Sequence, residues 1–154
     1  MKNDENYQAE LDVSKEMVRD YIGALAKHGF EYKEASFSHS DLTGNSVQFL
    51  FLAKKTSTSL KINYNPSLNN MRRLFVVTLE RSGEKERLYL DQYLKLHNRD
   101  DILLFLIDSG RVLEMRTFWD RFFGALESLF SNELKPVIDG TRWVGTPFDW
   151  AGYK

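Results

Sequence analysis

Val47-Gln48-Phe49-Leu50-Phe51-Leu52-Ala53 is apolar at six of its seven positions. So short a run, rich in aromatic residues, reads as a central strand buried on both faces. Its neighbours share the strand period. Leu60, Ile62 and Tyr64 alternate with Lys61 and Asn63, the pattern of a strand with one face in solvent. Upstream, Phe30 and Tyr32 fall on even positions, whereas Ala35, Phe37 and His39 fall on odd ones. The phase slips near Lys33 and Glu34, which predicts a bulge or a bend. Downstream, Leu74 to Leu79 forms a further apolar strand, and Ser82-Gly83-Glu84 marks a tight turn into a short strand over Leu88, Tyr89 and Leu90. Asp41 to Asn45 and Asn65-Pro66-Ser67 mark the other turns. Connections this short favour antiparallel neighbours, so the block reads as a meander of about five strands.

Helical periodicity brackets the sheet. Met17, Val18, Tyr21, Ile22 and Leu25 recur at intervals of three and four residues, with Asp12 or Ser14 as the expected cap. Gly29 is placed to end this helix in the left-handed conformation after His28, with Phe30 reaching back to Leu25. From about residue 99 the pattern is helical again. Asp100 can cap a short helix over Ile102 to Ile107. Thr117-Phe-Trp-Asp120 resembles a capping box ahead of a second helix. In that helix Phe118, Trp119, Phe122, Phe123, Leu126, Leu129 and Phe130 share one wide face, while Arg116, Asp120, Glu127 and Ser131 share the other. Pro136 breaks or restarts the helix, and Asp139-Gly140 ends it. The expected class is α+β: one domain over residues 1–154, with helices at both ends packed on an antiparallel sheet. Residues 1–10 are polar and expected to be mobile.

Composition excludes several chemistries. With no cysteine among 154 residues, disulfides, thiolate metal sites and thiol nucleophiles are ruled out. The chain carries 42% hydrophobic and 28% charged residues, an ordinary globular balance, and 14% aromatic residues, which predicts an aromatic-rich core. The start of the chain has no apolar stretch of the secretory kind, and no apolar run is long enough to span a membrane, so a cytoplasmic protein is expected. A net charge of −1 favours neither nucleic acid nor membrane. Charge is unevenly spread, however: residues 54–95 carry nine basic and four acidic residues, net +5. Arg72, Arg73, Lys54, Lys55, Lys61 and Arg81, with Tyr32 and Tyr64, could form a basic face, although on strands such residues usually form the solvated side of a sheet.

Catalytic signatures are missing. The three histidines, His28, His39 and His97, form no metal-binding pair, and His97-x-x-Asp100 is the nearest approach to one. Asp100 and Asp101 are adjacent, so on a helix they point about 100° apart and do not share a face. No phosphate-binding glycine loop or nucleophile elbow occurs. No catalytic residue, metal ligand or cofactor is expected, and the chain is read as non-enzymatic.

The end of the chain is unusual for a terminus. Trp143, Phe148, Trp150 and Tyr153 are interrupted by Gly145, Pro147 and Gly152. Most of this aromatic surface over 143–154 is expected to dock on the core. Asp139, Asp149 and one edge of Trp150 are the candidate partner-binding residues at its rim.

This architecture, ending in Pro147-Phe148-Asp149-Trp150-Ala151-Gly152-Tyr153, resembles the small immunity proteins of bacterial toxin systems. These include the cytosolic inhibitors encoded beside contact-dependent growth-inhibition toxins. The resemblance implies a monomeric or homodimeric cytosolic protein that binds one toxin domain and blocks its active site or its folding. Two other classes fit the same chain: a secretion chaperone, which binds an unfolded segment along a sheet edge, and a small enzyme or ligand-binding domain with no recognisable motif.

Overall fold

A computed structural model describes residues 12, 14–40, 44–64, 75–99 and 115–146. Five antiparallel strands form one sheet, β1 (Glu31–Ser40), β2 (Gly44–Ala53), β3 (Thr58–Tyr64), β4 (Phe75–Arg81) and β5 (Leu88–Tyr89), in spatial order β1-β2-β3-β4-β5. The helices are α1 (Ile22–Lys27), α2 (Leu90–Leu96), α3 (Met115–Ser131) and α4 (Lys135–Ile138), and residues 14–19 are also helical. The α+β class and the meander are as the strand periods predict.

The predicted phase slip is a bulge. Tyr32 pairs with Phe51 and Glu34 with Leu50, so Lys33 is the extra residue. Without it Tyr32 and Ala35 could not lie on the same side of the sheet. Gly44 and Asn45, expected in the turn before β2, belong to the strand and pair with Ser40 and His39.

One face of the sheet is the core. Val47, Phe49, Phe51 and Ala53 of β2 are buried there with Leu60, Ile62 and Tyr64 of β3 and with Phe75, Val77 and Leu79 of β4. The opposite face departs from the sequence reading. Leu50 and Leu52 are only half-buried, although their strand was expected to be covered on both sides. The reason is their cross-strand company. Leu50 lies between Glu34 and Lys61, and Leu52 between Glu31 and Ser59. Charged neighbours hold that face toward water, because burying them unpaired would cost more than two leucines gain.

Helix α3 covers the core face through aromatic contacts. Phe122 stacks on Phe75 at 4.0 Å with the planes 3° apart, and Trp119 meets Phe75 edge-on at 5.1 Å. Trp119 also contacts Phe49 and Tyr64, so one indole touches three strands. Trp119 is fully buried, and its indole N–H has no partner among the described residues. The helix starts at Met115, so Thr117 lies inside it and is not the cap expected.

The N-terminal helix is broken. Asp12 and Ser14 both have helical backbone, so neither is the cap. At Tyr21 the winding tightens: its N–H donates to Val18 O at 2.8 Å, and its ring stacks on Phe123 at 4.2 Å. The helix resumes as α1 and stops as predicted. Gly29 sits at φ +90°, its N–H donates to Ala26 O, and the Phe30 N–H donates to Leu25 O. Helix α2 was not foreseen. Leu90, expected in the fifth strand, instead joins Tyr93 and Leu94 in a buried helical stripe with Asp91 in the first turn. The short helix expected over Ile102 to Ile107 lies outside the described residues.

Two adjacent substitutions in β2 distinguish its faces. Phe51→Ala is expected to lower the unfolding free energy by about 3–5 kcal/mol, and Leu52→Ala by about 1 kcal/mol. Urea titration of both variants measures the contrast, and equal losses would contradict a one-sided core.

Candidate functional site

Charged and aromatic side chains gather at one end of the sheet, where the β2–β3 connection, the β4–β5 turn and the segment after α4 meet. Arg81, the last residue of β4, is the junction. Its Nε donates to Thr58 Oγ1 at 2.9 Å. One terminal nitrogen donates to the Val137 carbonyl of α4, and the other to Arg142 O at 3.5 Å. The guanidinium also lies 4.8 Å from the centre of the Trp143 ring. This enclosure lowers the guanidinium pKa from its ordinary value, an effect that the charge of Glu84 opposes. A planar, five-donor group suits this position because it bonds several carbonyls while stacking on a ring.

Beyond Arg81 the C-terminal segment closes the edge of the sheet. Trp143 Nε1 donates to Glu86 O at 3.0 Å, and the Thr146 N–H donates to Arg87 O at 2.9 Å. The Tyr89 N–H donates to Thr146 Oγ1 at 2.8 Å, and that hydroxyl lies 3.4 Å from Tyr89 O. Thr146 is therefore buried, an unusual state for a threonine, because it satisfies the outward groups of β5. Trp143 is half-buried against the core, so this part of the aromatic end docks. Phe148, Trp150 and Tyr153 lie outside the described residues.

On the solvent side of the junction is a groove of about 650 Å³. Leu52 and Ser59 line it, with Lys54 and Ser57 on one lip and Lys85 and Arg87 on the other. Ser57 adopts the left-handed conformation at φ 51°, and its carbonyl accepts the Ser82 N–H at 3.1 Å, joining the lips. Glu80 lies in the groove, with Oε1 3.2 Å from both Lys61 Nζ and Arg87 Nε. On the other side of Arg81, a cleft of about 180 Å³ is lined by Lys55, Thr56, Asp139 and Gly140.

Of the three residues singled out from sequence, Asp139 is exposed at the C-terminal cap of α4, beside Arg81. Asp149 and Trp150 lie outside the described residues. The residues that sequence reasoning missed are Arg81 as a clamp and Thr146 as an edge seal. Neither carries a local signal, since their hydrogen-bond partners lie between 23 and 61 positions away in the chain.

The candidates for other chemistry take structural places. His28 caps α1, with its ring edge on Phe130. The His97 ring stacks on Tyr93 at 4.0 Å, and its Nδ1 lies 2.9 Å from Tyr93 O, while Asp100 lies outside the described residues. Among the described residues, no group of three His, Cys, Asp or Glu side chains could hold a metal ion. Tyr64 belongs to the core, and the half-buried Tyr32 meets Phe51 edge to face at 5.6 Å. Arg72 and Arg73 lie outside the described residues. Comparison with protein-family models, curated proteins and solved structures returns no match.

Two substitutions test the junction. Arg81→Lys keeps the charge but loses the fork, and is expected to cost about 2 kcal/mol in urea unfolding. Thr146→Val keeps the shape but leaves the Tyr89 N–H unpaired. It is expected to cost about 1–2 kcal/mol and to accelerate hydrogen exchange at that amide selectively. Unchanged exchange at Tyr89 would show that the hydroxyl does not seal the edge.

Proposed function

We propose that this chain is a non-enzymatic, cytosolic immunity protein that captures a bacterial toxin domain by direct contact. The observation carrying this reading is the pairing of Arg81 with Trp143, half-buried beside a charged groove and outside a core filled by phenylalanine, leucine and Trp119. Tryptophan and arginine in such settings are the residues from which binding hot spots are most often built. The mixed charges around them favour fast, oriented encounter with a complementary surface. Asp139 belongs to this rim by position, and Asp149 and Trp150 join it through the sequence alone. Among the described residues no helix is long and apolar enough to cross a membrane.

Under this reading the gene lies beside one for a large secreted toxin. Co-expression with that toxin's C-terminal domain is expected to restore growth and to yield a stoichiometric complex on size-exclusion chromatography. A metabolic gene neighbourhood, or no complex at micromolar concentrations, would count against the proposal.

A further inference from the structure

The two edges of the sheet are finished differently. Beyond β5 the C-terminal segment supplies Thr146 and Trp143 to Tyr89, Arg87 and Glu86. Beyond β1 no further strand pairs among the described residues. An open edge presents a row of backbone donors and acceptors that another strand can satisfy, and proteins blunt such edges with bulges, charge or proline. In β1 these devices are confined to the start of the strand, at Glu31, the bulged Lys33 and Glu34. From Glu34 to Ser40 the register runs on for seven residues without a break. After Glu34 that stretch holds no lysine, arginine, carboxylate or proline. Its core side is also unfinished. Ala35 and Phe37 are half-buried, whereas Phe49 and Val47, which pair with them in β2, are fully buried.

We infer that this edge receives β1 of a second copy of the chain, in antiparallel pairing about a twofold axis at Phe37. The backbone fixes the class of the occupant, because only an extended strand satisfies a row of alternating donors and acceptors in series. The pattern of the stretch fixes which strand. In this register Glu34 faces Ser40, Ala35 faces His39 and Ser36 faces Ser38, so all seven residues pair and both bulges lie outside the contact. A twofold contact must match itself, and this one does. Positions on the core side face positions on the core side, the exposed serines face each other, and no like charges meet. Phe37 of each copy becomes the cross-strand neighbour of the other, which extends the half-finished end of the aromatic core across the axis. A foreign strand would find no charge after Glu34 by which to be selected.

The inference goes beyond the protein-capture reading and does not depend on it. Strand β5 and the Arg81–Trp143 pair lie toward the opposite edge of the sheet, so pairing through β1 leaves that rim open in both copies. Sedimentation velocity of the full chain between about 1 and 200 µM is expected to show a species of twice the 18.0 kDa chain mass. Ser36→Lys/Ser38→Lys sets like charges face to face at two exposed positions and is expected to weaken dimerisation about tenfold. Ser36→Glu/Ser38→Glu is expected to do the same, and mixing the two variants is expected to restore a mixed dimer. Ser36→Lys/Ser38→Glu sets opposite charges face to face in this register alone and is expected to dimerise at least as tightly as the unaltered chain. A monomer at every concentration, undiminished dimerisation of Ser36→Lys/Ser38→Lys, no mixed dimer, or dissociation of Ser36→Lys/Ser38→Glu would overturn the inference. So would β1 amides that gain protection from hydrogen exchange only when a toxin domain is added, which would give the edge to a foreign strand. A dimer with these properties that gives no protection from the toxin refutes the immunity reading alone.

Discussion

The contact on which the structure depends is the aromatic packing of α3 against the inner face of the sheet. Phe122 lies flat on Phe75, and Trp119 stands edge-on to it while touching Phe49 and Tyr64. Strands β2, β3 and β4 are thus tied to one helix by one indole and one phenyl ring. Large aromatic side chains bury more area per residue than any others, and ring pairs at these geometries add to that area term. The strand register and the position of α3 are therefore coupled. A slip of one residue in any strand would turn its aromatic residues to the outer face and leave α3 without a surface.

With the core closed by α3, the remaining weak point of the sheet is its short last strand. Strand β5 pairs with β4 at only two positions, so it depends on what lies beyond it. Thr146 supplies a hydroxyl and an amide to Tyr89 and Arg87, and Trp143 supplies an indole N–H to Glu86. Arg81 then holds the same segment from the opposite side, through the carbonyls of Val137 and Arg142. The residues that close the sheet also build the rim, and this couples stability to the proposed binding surface. An Arg81–Trp143 pair held in place in advance loses little side-chain entropy when a partner docks on it.

The groove lies on the half-buried face and not in the core. Its floor is made of side chains that face away from α3, such as Leu52 and Ser59, and its walls come from two connections. Fixed charge on a rigid sheet end is well suited to recognition by complementarity. It also explains why Leu50 and Leu52 are not fully buried: the face they share is the one on which Lys61 and Glu80 meet.

Much of the fold was legible in the chain itself. Continuous apolar runs located β2 and β4, a period of two located β3, a break in period located the bulge at Lys33, and glycine marked the ends of α1 and α4. The hydrophobic stripe of α3 identified Trp119, Phe122 and Phe130 as core. Each of these is a local matter, governed by backbone conformation or by the alternation of apolar and polar residues. Helix α2 was also written locally, in Leu90, Tyr93 and Leu94, but it went unread because a strand reading of Leu88 to Leu90 competed for the first of these residues. Only the tertiary structure decided which face of β2 is the core, since Phe49 and Leu50 are equally apolar and their cross-strand neighbours choose between them. The site was least legible. Asp139 was named from sequence, but Arg81 and Thr146 acquire their roles from partners distant in the chain, and no local pattern encodes a contact that chain folding alone creates.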